Sequence, residues 1–224
     1  MSSNFHLFHC IHWLILISVP AFAGFWTLLH RHFVAAQRAL RLAMALLLLA
    51  DTILYYANLA LHGQLTFPGH LPLELCDASL CLTMIALFSL HPLAFDLAYY
   101  GALAGASMAM LTPNLWEPFP SFGTIQFFVA HGLTIAGVLY LLWSGQAKPR
   151  KRSVLRAWVG VNFFALLVGS FDIFYRTDYM YLRAKPQNAS LLDYLGPWPW
   201  YLVAAECVAL LLFTLLWMPY RKRA

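Results

Sequence analysis

The stretch that decides the fold is residues 122–143, FGTIQFFVAHGLTIAGVLYLLW, which contains no Asp, Glu, Lys or Arg. About 20 apolar residues in a helix cross the ~30 Å hydrocarbon core of a bilayer, so this segment predicts a transmembrane helix. Six more apolar runs of similar length fall at 12–29, 38–60, 71–90, 92–111, 153–175 and 198–219. The pattern predicts an all-α polytopic membrane protein, in which residues 1–224 form a single domain of seven transmembrane helices.

The composition is also typical of a membrane protein. Hydrophobic residues make up 62% of the chain and charged residues only 10%, whereas a soluble domain has about 25% charged residues. The net charge is +5, but the lysines and arginines cluster beside the apolar runs, as they do in the loops of membrane proteins. Their positions therefore predict no nucleic-acid partner. The four cysteines, Cys10, Cys76, Cys81 and Cys207, show no CxxC spacing. The sequence therefore predicts no metal site, no disulfide framework and no cofactor.

The basic residues predict the orientation of the bundle. With seven spans, the first, third and fifth loops and the C-terminus share one side, and they carry 11 of the 14 lysines and arginines. The positive-inside rule places that side in the cytoplasm and the N-terminus outside. We expect a multi-pass protein of the cell membrane, which is the inner membrane if the host is Gram-negative. Ala21-Phe22-Ala23 mimics a signal-peptidase site, but no basic residue precedes the run, so we expect no cleavage.

Acidic residues inside the predicted spans indicate a polar region in the outer half of the bundle. A charged group in hydrocarbon is costly, so such residues are functional candidates, although each also fits a hydrogen bond between helices. By depth, Asp96 alone falls near the cytoplasmic edge. No lysine lies in a span, which excludes a retinal Schiff base. The expected pocket or supporting residues are Glu74, Asp77, Asn58, Asp51, Asn114, Asp172 and Glu206.

His131 and two cysteines are the candidates for chemistry. His131 lies inside the predicted span 122–143, where an imidazole can act as a general base or simply join two helices. Cys76 follows Pro72, which we expect in the first turn of span 71–90, and a helix start favours a thiolate. The carboxyl groups of Glu74 and Asp77 disfavour a thiolate at Cys76, because they place negative charge near it. Spacing alone leaves Cys81 as a rival nucleophile, and leaves open that both cysteines only pack.

Ordered motifs between about residues 65 and 205 carry a family resemblance. They are Leu71-Pro72-Leu73-Glu74-Leu75-Cys76, Tyr99-Tyr100-Gly101-Ala102-Leu103-Ala104-Gly105, Leu111-Thr112-Pro113, Phe119-Pro120-Ser121-Phe122, Gln126-Phe127-Phe128, His131-Gly132, Tyr179-Met180-Tyr181-Leu182, Lys185-Pro186 and Gly196-Pro197-Trp198-Pro199-Trp200-Tyr201. In order and spacing the chain resembles the YwaF-like family of bacterial integral membrane proteins.

The resemblance implies an activity and two site residues. The animal branch of that family is similar to a membrane acyltransferase that remodels glycerophospholipids through a cysteine acyl-thioester, and distantly to androgen-induced membrane hydrolases. This implies Cys76 as the nucleophile, His131 as the catalytic histidine, and a membrane phospholipid or lysophospholipid as substrate. Asp178 stands where the resemblance leads us to expect asparagine before Tyr179.

Three functions compete at this point. The first is acyl transfer or lipid-ester hydrolysis at Cys76 and His131. The second is a proton- or ion-coupled transporter, in which buried acids and His131 relay protons, although no inverted repeat is visible. The third is a non-catalytic membrane subunit whose outer pocket binds lipid. Reactivity of Cys76 separates the first from the others, and solute flux separates the second from the third.

Overall fold

A computed structural model of the chain describes residues 6–115, 117–186 and 190–221, and no strand occurs among them. The sequence Asn188-Ala189-Ser190 is a formal glycosylation sequon, and its asparagine lies outside the described residues. The helices are α1 Cys10–His32, α2 Gln37–Leu61, α3 Leu75–Ser89, α4 Pro92–Tyr100, α5 Ser107–Leu111, α6 Phe122–Trp143, α7 Ser153–Tyr175 and α8 Trp200–Trp217. A π-helical stretch, Gly101–Ala106, joins α4 to α5.

Five helical segments are long and apolar enough to cross a membrane. They are Cys10–His32, Val34–Leu61, Phe122–Trp143, Ser153–Tyr175 and Trp200–Tyr220. Helix α3 is apolar but has 15 residues, a length of about 22 Å. The run from α4 through α5 is interrupted by the π-helical stretch. The all-helical, multi-pass prediction is confirmed, and a count of seven crossings remains a prediction.

Helix α6 lies at the centre of the bundle. It packs against α1, α2, α3 and the π-helical stretch, and its middle is almost wholly buried. Small residues permit this packing, because they let neighbouring helices approach closely. At Gly137 a methyl group would press against the side chains of Thr83 and Leu87 on α3. Helices α7 and α8 join the bundle through contacts of α7 with α4 and of α8 with the π-helical stretch.

The π-helical stretch brings the start of α3 against the α4–α5 run. A Cβ atom at Gly101 would overlap the hydroxyl of Ser79 on α3, so this position requires glycine. Ser79 and Thr83 return their own hydroxyls to backbone carbonyls of α3, at 2.8 Å each. Since π-helical turns often mark functional sites, the residues at the start of α3 are candidates for a functional site.

Pro72 does not belong to the first turn of α3, so that prediction is wrong. Glu74 is the N-cap in an extended conformation, with φ −73° and ψ 152°. Its backbone N–H donates to Asp77 Oδ2 at 3.1 Å instead of continuing a helix backwards. The helix therefore begins at Leu75, and Cys76 is its second residue. This brings Cys76 closer to the helix start than the sequence indicated.

Asp96 connects the elements at the end of the bundle opposite to the start of α3. Its side chain is fully buried in the middle of α4, and one oxygen accepts the backbone N–H of Arg150 at 3.1 Å. The other lies 2.8 Å from the Arg150 guanidinium and 3.0 Å from that of Arg156. Helix α4, the loop after α6, and α7 are thereby joined through one carboxylate.

Candidate functional site

A cavity of about 390 Å³ lies where α2 ends and α3 and α6 begin, which we call the cavity end of the bundle. Helix α2, the segment before α3, the first turns of α3, and α6 form its walls. Its lining comprises Thr52, Tyr55, Tyr56, Gly69, His70, Leu71, Pro72, Glu74, Cys76, Asp77, Leu80, Cys81, Ala106, Gln126, Phe127, Ala130, His131, Thr134 and Tyr179. The cavity brings titratable, thiol and hydroxyl groups together.

Two of the four cysteines line this cavity. Cys76 is half-buried in the first turn of α3, whereas Cys81, five residues further on, is exposed. Cys10 and Cys207 are exposed and do not belong to the lining. Partial positive charge at the first turn of a helix stabilises an anion, which favours a thiolate at Cys76 over one at Cys81, whereas the nearby carboxyl groups of Glu74 and Asp77 oppose it.

His131 lines the same cavity with one ring nitrogen engaged and the other unpartnered. Its Nδ1 lies 2.7 Å from the backbone carbonyl of Phe127, and the two rings are in contact at a tilt of 36°, with centroids 4.2 Å apart. A carbonyl only accepts, so Nδ1 carries the proton, and in the neutral ring Nε2 holds a lone pair. Among the residues that the structure describes, Nε2 is buried and has no hydrogen-bond partner.

This combination is unusual for a purely structural histidine. Buried polar atoms are nearly always hydrogen-bonded, and an unpaired one calls for an explanation such as a ligand or a catalytic role. The tautomer is fixed by the Phe127 carbonyl, so the free nitrogen is an acceptor. Cys76 lines the same cavity, so the cavity contains both a thiol and a hydrogen-bond acceptor, the two groups that proton abstraction requires.

The two carboxyl groups at the start of α3 fasten neighbouring backbone. Asp77 holds the backbone N–H of Glu74, and Glu74 Oε2 accepts the N–H of Met180 at 2.9 Å. Glu74 precedes α3, so the 100° rotation per residue of a helix does not set its direction relative to Cys76. Both side chains line the cavity. Glu74 thus connects the segment carrying Cys76 to the long loop after α7.

That loop closes part of the cavity through Tyr179. The Tyr179 hydroxyl donates to the carbonyl of Pro68 at 2.6 Å and accepts the N–H of Leu71 at 3.0 Å. Burial raises the pKa of this phenol, which keeps it a neutral donor. Asp172, fully buried near the end of α7, stabilises the same loop. Its Oδ1 accepts hydrogen bonds from the Tyr179 N–H at 3.1 Å and from the Thr177 hydroxyl at 2.6 Å.

The TMEM164 family model matches residues 1–217. The chain belongs to the TMEM164 family. This is a transmembrane family, in agreement with the multi-pass fold and with the resemblance to membrane proteins. No curated protein and no solved structure matches the chain.

In this TMEM164-family chain, other residues predicted for the pocket lie beside the cavity or away from it. Asp51 accepts a hydrogen bond from Gln126, a lining residue, at 3.1 Å. Asn114 donates to Tyr181 at 3.0 Å and lines an adjoining cavity of about 560 Å³. Neither Asn58 nor Glu206 belongs to the lining. Glu206 accepts from Trp158 and Asn162, at 2.7 and 3.0 Å, and so joins α7 to α8.

Asp178 has a local role that sequence could not assign. Its two oxygens accept the backbone N–H groups of Arg183 and Ala184, at 2.8 and 3.1 Å. An asparagine has one side-chain oxygen and could accept only through that atom. Asp178 therefore stabilises the turn after Tyr179 and does not line the cavity.

Sequence reasoning missed several polar lining residues, among them Thr52, Tyr56, Gln126 and Thr134. Thr52 and Tyr56 are four residues apart on α2, so they share one helix face, which a search for polar side chains at helical spacing would have found. Among the described residues, no three His, Cys, Asp or Glu side chains cluster as a metal site.

Proposed function

We propose that this chain is a membrane-embedded acyltransferase or lipid-ester hydrolase that acts on glycerophospholipids through an acyl-thioester on Cys76. One observation carries the proposal. Cys76 and His131 line the same cavity, and the buried Nε2 of His131 has no partner among the described residues. A nucleophile and an available base in one cavity are the two groups that acyl transfer needs.

In the first step, Nε2 of His131 takes the proton of the Cys76 thiol. The sulfur attacks the ester carbonyl of a phospholipid, and the bond from that carbonyl to the glycerol oxygen breaks. The leaving glycerol oxygen receives the proton from Nε2, which releases a lysophospholipid. The Nδ1 hydrogen bond to Phe127 holds the ring in the tautomer that permits both transfers.

In the second step, an acceptor hydroxyl gives its proton to Nε2 and attacks the thioester carbonyl. The carbon–sulfur bond breaks, and the proton returns to Cys76. A lysophospholipid acceptor gives acyl exchange, and water gives hydrolysis. The adjoining cavity of about 560 Å³ shares Tyr55, His70, Gln126 and Phe127 with the first, and it provides space for a headgroup or a second lipid.

The choice of Cys76 over Cys81 rests on two arguments. Cys76 lies in the first turn of α3, where the helix start stabilises an anion. The resemblance to the YwaF-like family also aligns Cys76 with the nucleophile of the animal branch. Cys81 lines the same cavity, so the experiments must treat it as the competitor.

The transporter alternative finds less support in the structure. Its relay requires Asp51, His131 and Glu206 to approach one another. Asp51 contacts Gln126 at the cavity, but Glu206 is occupied by Trp158 and Asn162 between α7 and α8. A non-catalytic lipid-binding subunit remains the other competing function, and the loss or persistence of acyl transfer distinguishes it.

The proposal predicts acyl transfer by the purified protein in proteoliposomes. With a phospholipid carrying an isotope-labelled acyl chain and an unlabelled lysophospholipid, we expect labelled product or labelled free fatty acid by mass spectrometry. Cys76→Ser should abolish it, and His131→Ala should lower the rate by at least about 100-fold because the base is lost. Cys207→Ser, outside the cavity, is the control and should retain the wild-type rate. Transfer that survives Cys76→Ser would contradict the mechanism.

We further propose seven membrane crossings, with α3 and the α4–α5 run each crossing once, the N-terminus outside and the C-terminus in the cytoplasm. The basic asymmetry of the loops supports this orientation. Reporter fusions after residue 224 and within residues 145–152 should both report the cytoplasm. A fusion within residues 62–70 should report the outside, and the reverse pattern would contradict the topology and place the cavity at the cytoplasmic side.

A further inference from the structure

A second cavity lies between the start of α7 and the end of α8. It measures about 480 Å³ and takes no part in the proposed reaction, since it is at the end of the bundle opposite to Cys76. Its lining is Lys151, Arg152, Val154, Leu155, Trp158, Leu210, Trp217 and Arg221. Three cationic side chains thus meet an apolar wall, and no acidic residue contributes to the lining.

These three cations are not neutralised within the described part of the chain. Over residues 6–115, 117–186 and 190–221, the ion pairs join Arg150 and Arg156 to Asp96. Lys151, Arg152 and Arg221 have no carboxylate within ion-pairing distance there. Uncompensated positive charges gathered at one cavity favour an anionic ligand.

The start of α7 adds to the positive potential. No side chain caps this helix end, and its first turn contains no acidic residue. The N–H groups of a first turn have no partner within the helix, and they carry partial positive charge. Val154 and Leu155 of that turn line the cavity. Helix starts of this kind bind phosphate groups.

A buried indole nitrogen supplies an independent sign of a ligand. Nε1 of Trp217 is buried without a hydrogen-bond partner among the described residues, and Trp217 lines the cavity. Trp158, on the same wall, donates its Nε1 to Glu206 at 2.7 Å. An indole N–H can only donate, so the unpartnered group at Trp217 calls for an acceptor such as a phosphate oxygen.

The apolar surroundings indicate a lipid and not a free anion. Around the cavity, α7 and α8 expose Val159, Phe163 and Leu211, at 51%, 62% and 59% of their surface. On membrane-crossing helices such side chains face acyl chains. We propose that this cavity binds one anionic glycerophospholipid, with its phosphate held by Lys151, Arg152, Arg221 and Trp217 and its chains lying along α7 and α8. Basic cavities between membrane helices are known to bind such headgroups.

The test compares lipids that share acyl chains and differ in headgroup. The delipidated full chain is titrated with phosphatidylglycerol, with phosphatidylcholine and with inorganic phosphate. Bound lipid is counted by native mass spectrometry, and thermal stability is followed in parallel. We expect one phosphatidylglycerol per chain, a raised melting temperature, and weaker binding of phosphatidylcholine. Inorganic phosphate should neither displace the lipid nor match its stabilisation.

Substitutions locate the site. Arg221→Gln should weaken phosphatidylglycerol binding about fivefold, and Trp217→Phe, which keeps an aromatic ring but removes the N–H, should weaken it by a smaller factor. Arg38→Gln is the matched control, because Arg38 is an exposed arginine of the same end that does not line the cavity. It should bind as the wild type does.

Three results would overturn the proposal. They are equal binding of phosphatidylcholine, stabilisation by phosphate alone that matches the lipid, and equal weakening by Arg38→Gln and Arg221→Gln. The headgroup comparison uses the wild-type chain, so it decides the matter even if a variant fails to fold.

Discussion

A long-chain alkyl iodoacetamide should alkylate Cys76 faster than it alkylates Cys10, Cys81 or Cys207. The reason is that, among the four cysteines, Cys76 alone combines a place in the cavity with the first turn of α3, and the same cavity contains an available base at His131. Removing that base in His131→Ala should slow the labelling of Cys76 by about 100-fold or more. Peptide mass spectrometry at a series of times measures each cysteine separately.

His62 offers a matched control for this experiment. Its Nδ1 lies 2.8 Å from the carbonyl of the residue four positions earlier, as in His131, but His62 is exposed and does not line the cavity. His62→Ala should leave the labelling rate unchanged. Fastest labelling of Cys81 would move the nucleophile to that residue. Equal rates at all four cysteines would remove the chemical basis for an enzyme and favour lipid binding.

Asp96→Asn should lower the stability of the protein by about 3 kcal/mol. The buried carboxylate holds two guanidinium groups and one backbone N–H, and an amide of the same size cannot neutralise the arginines. The arginine side chains are 39% and 36% exposed, so they can turn towards water. The loss therefore falls at the lower end of the range for a broken buried pair.

Unfolding of the variant by SDS in mixed micelles measures this loss. Glu117→Gln is the control, because Glu117 is exposed and no described cation pairs with it. Its stability should equal that of the wild type. If Asp96→Asn were as stable as the control, the carboxylate would not join α4, the 144–152 loop and α7 in the way that its distances indicate.

The positions of the helices could be predicted from apolar length alone. The predicted run 122–143 has the same bounds as α6, and run 153–175 has the same bounds as α7. In a bilayer, length and apolarity leave few alternatives to a helix. The start of α3 could not be predicted, because it depends on Asp77 capturing the N–H of Glu74, a contact that periodicity does not reveal.

Only part of the cavity lining, and none of its geometry, could be predicted from the sequence. Depth along the helices placed Cys76 in an outer layer and His131 in a deeper layer, closer to Cys81, whereas in the structure all three side chains line one cavity. The free nitrogen of His131 depends on the Phe127 carbonyl, and a sequence gives no tautomer. Glu206 has a depth like that of His131 but lies between α7 and α8. Depth along a helix does not tell which neighbouring helix a side chain faces.

The attachment of the loop after α7 to the bundle could not be predicted from the sequence for a different reason. This attachment uses hydrogen bonds between the Tyr179 hydroxyl and the segment before α3, and a hydrogen bond that the loop backbone donates to Asp172. The partners of the Tyr179 hydroxyl are more than 100 residues away in the sequence and leave no local pattern. The acidic Asp172 was found as a candidate, but its role as the support of this loop follows only from the structure.

The most direct measurement of the central claim is the search for the thioester itself. The purified chain is mixed with a phospholipid carrying a labelled acyl chain, quenched in acid, digested and analysed by mass spectrometry. The mechanism predicts the labelled acyl mass on the peptide that contains Cys76, its removal by neutral hydroxylamine, and a lower yield in His131→Ala. An acyl chain on Cys81 instead, or acyl transfer with no thioester on Cys76 at any time point, would contradict it.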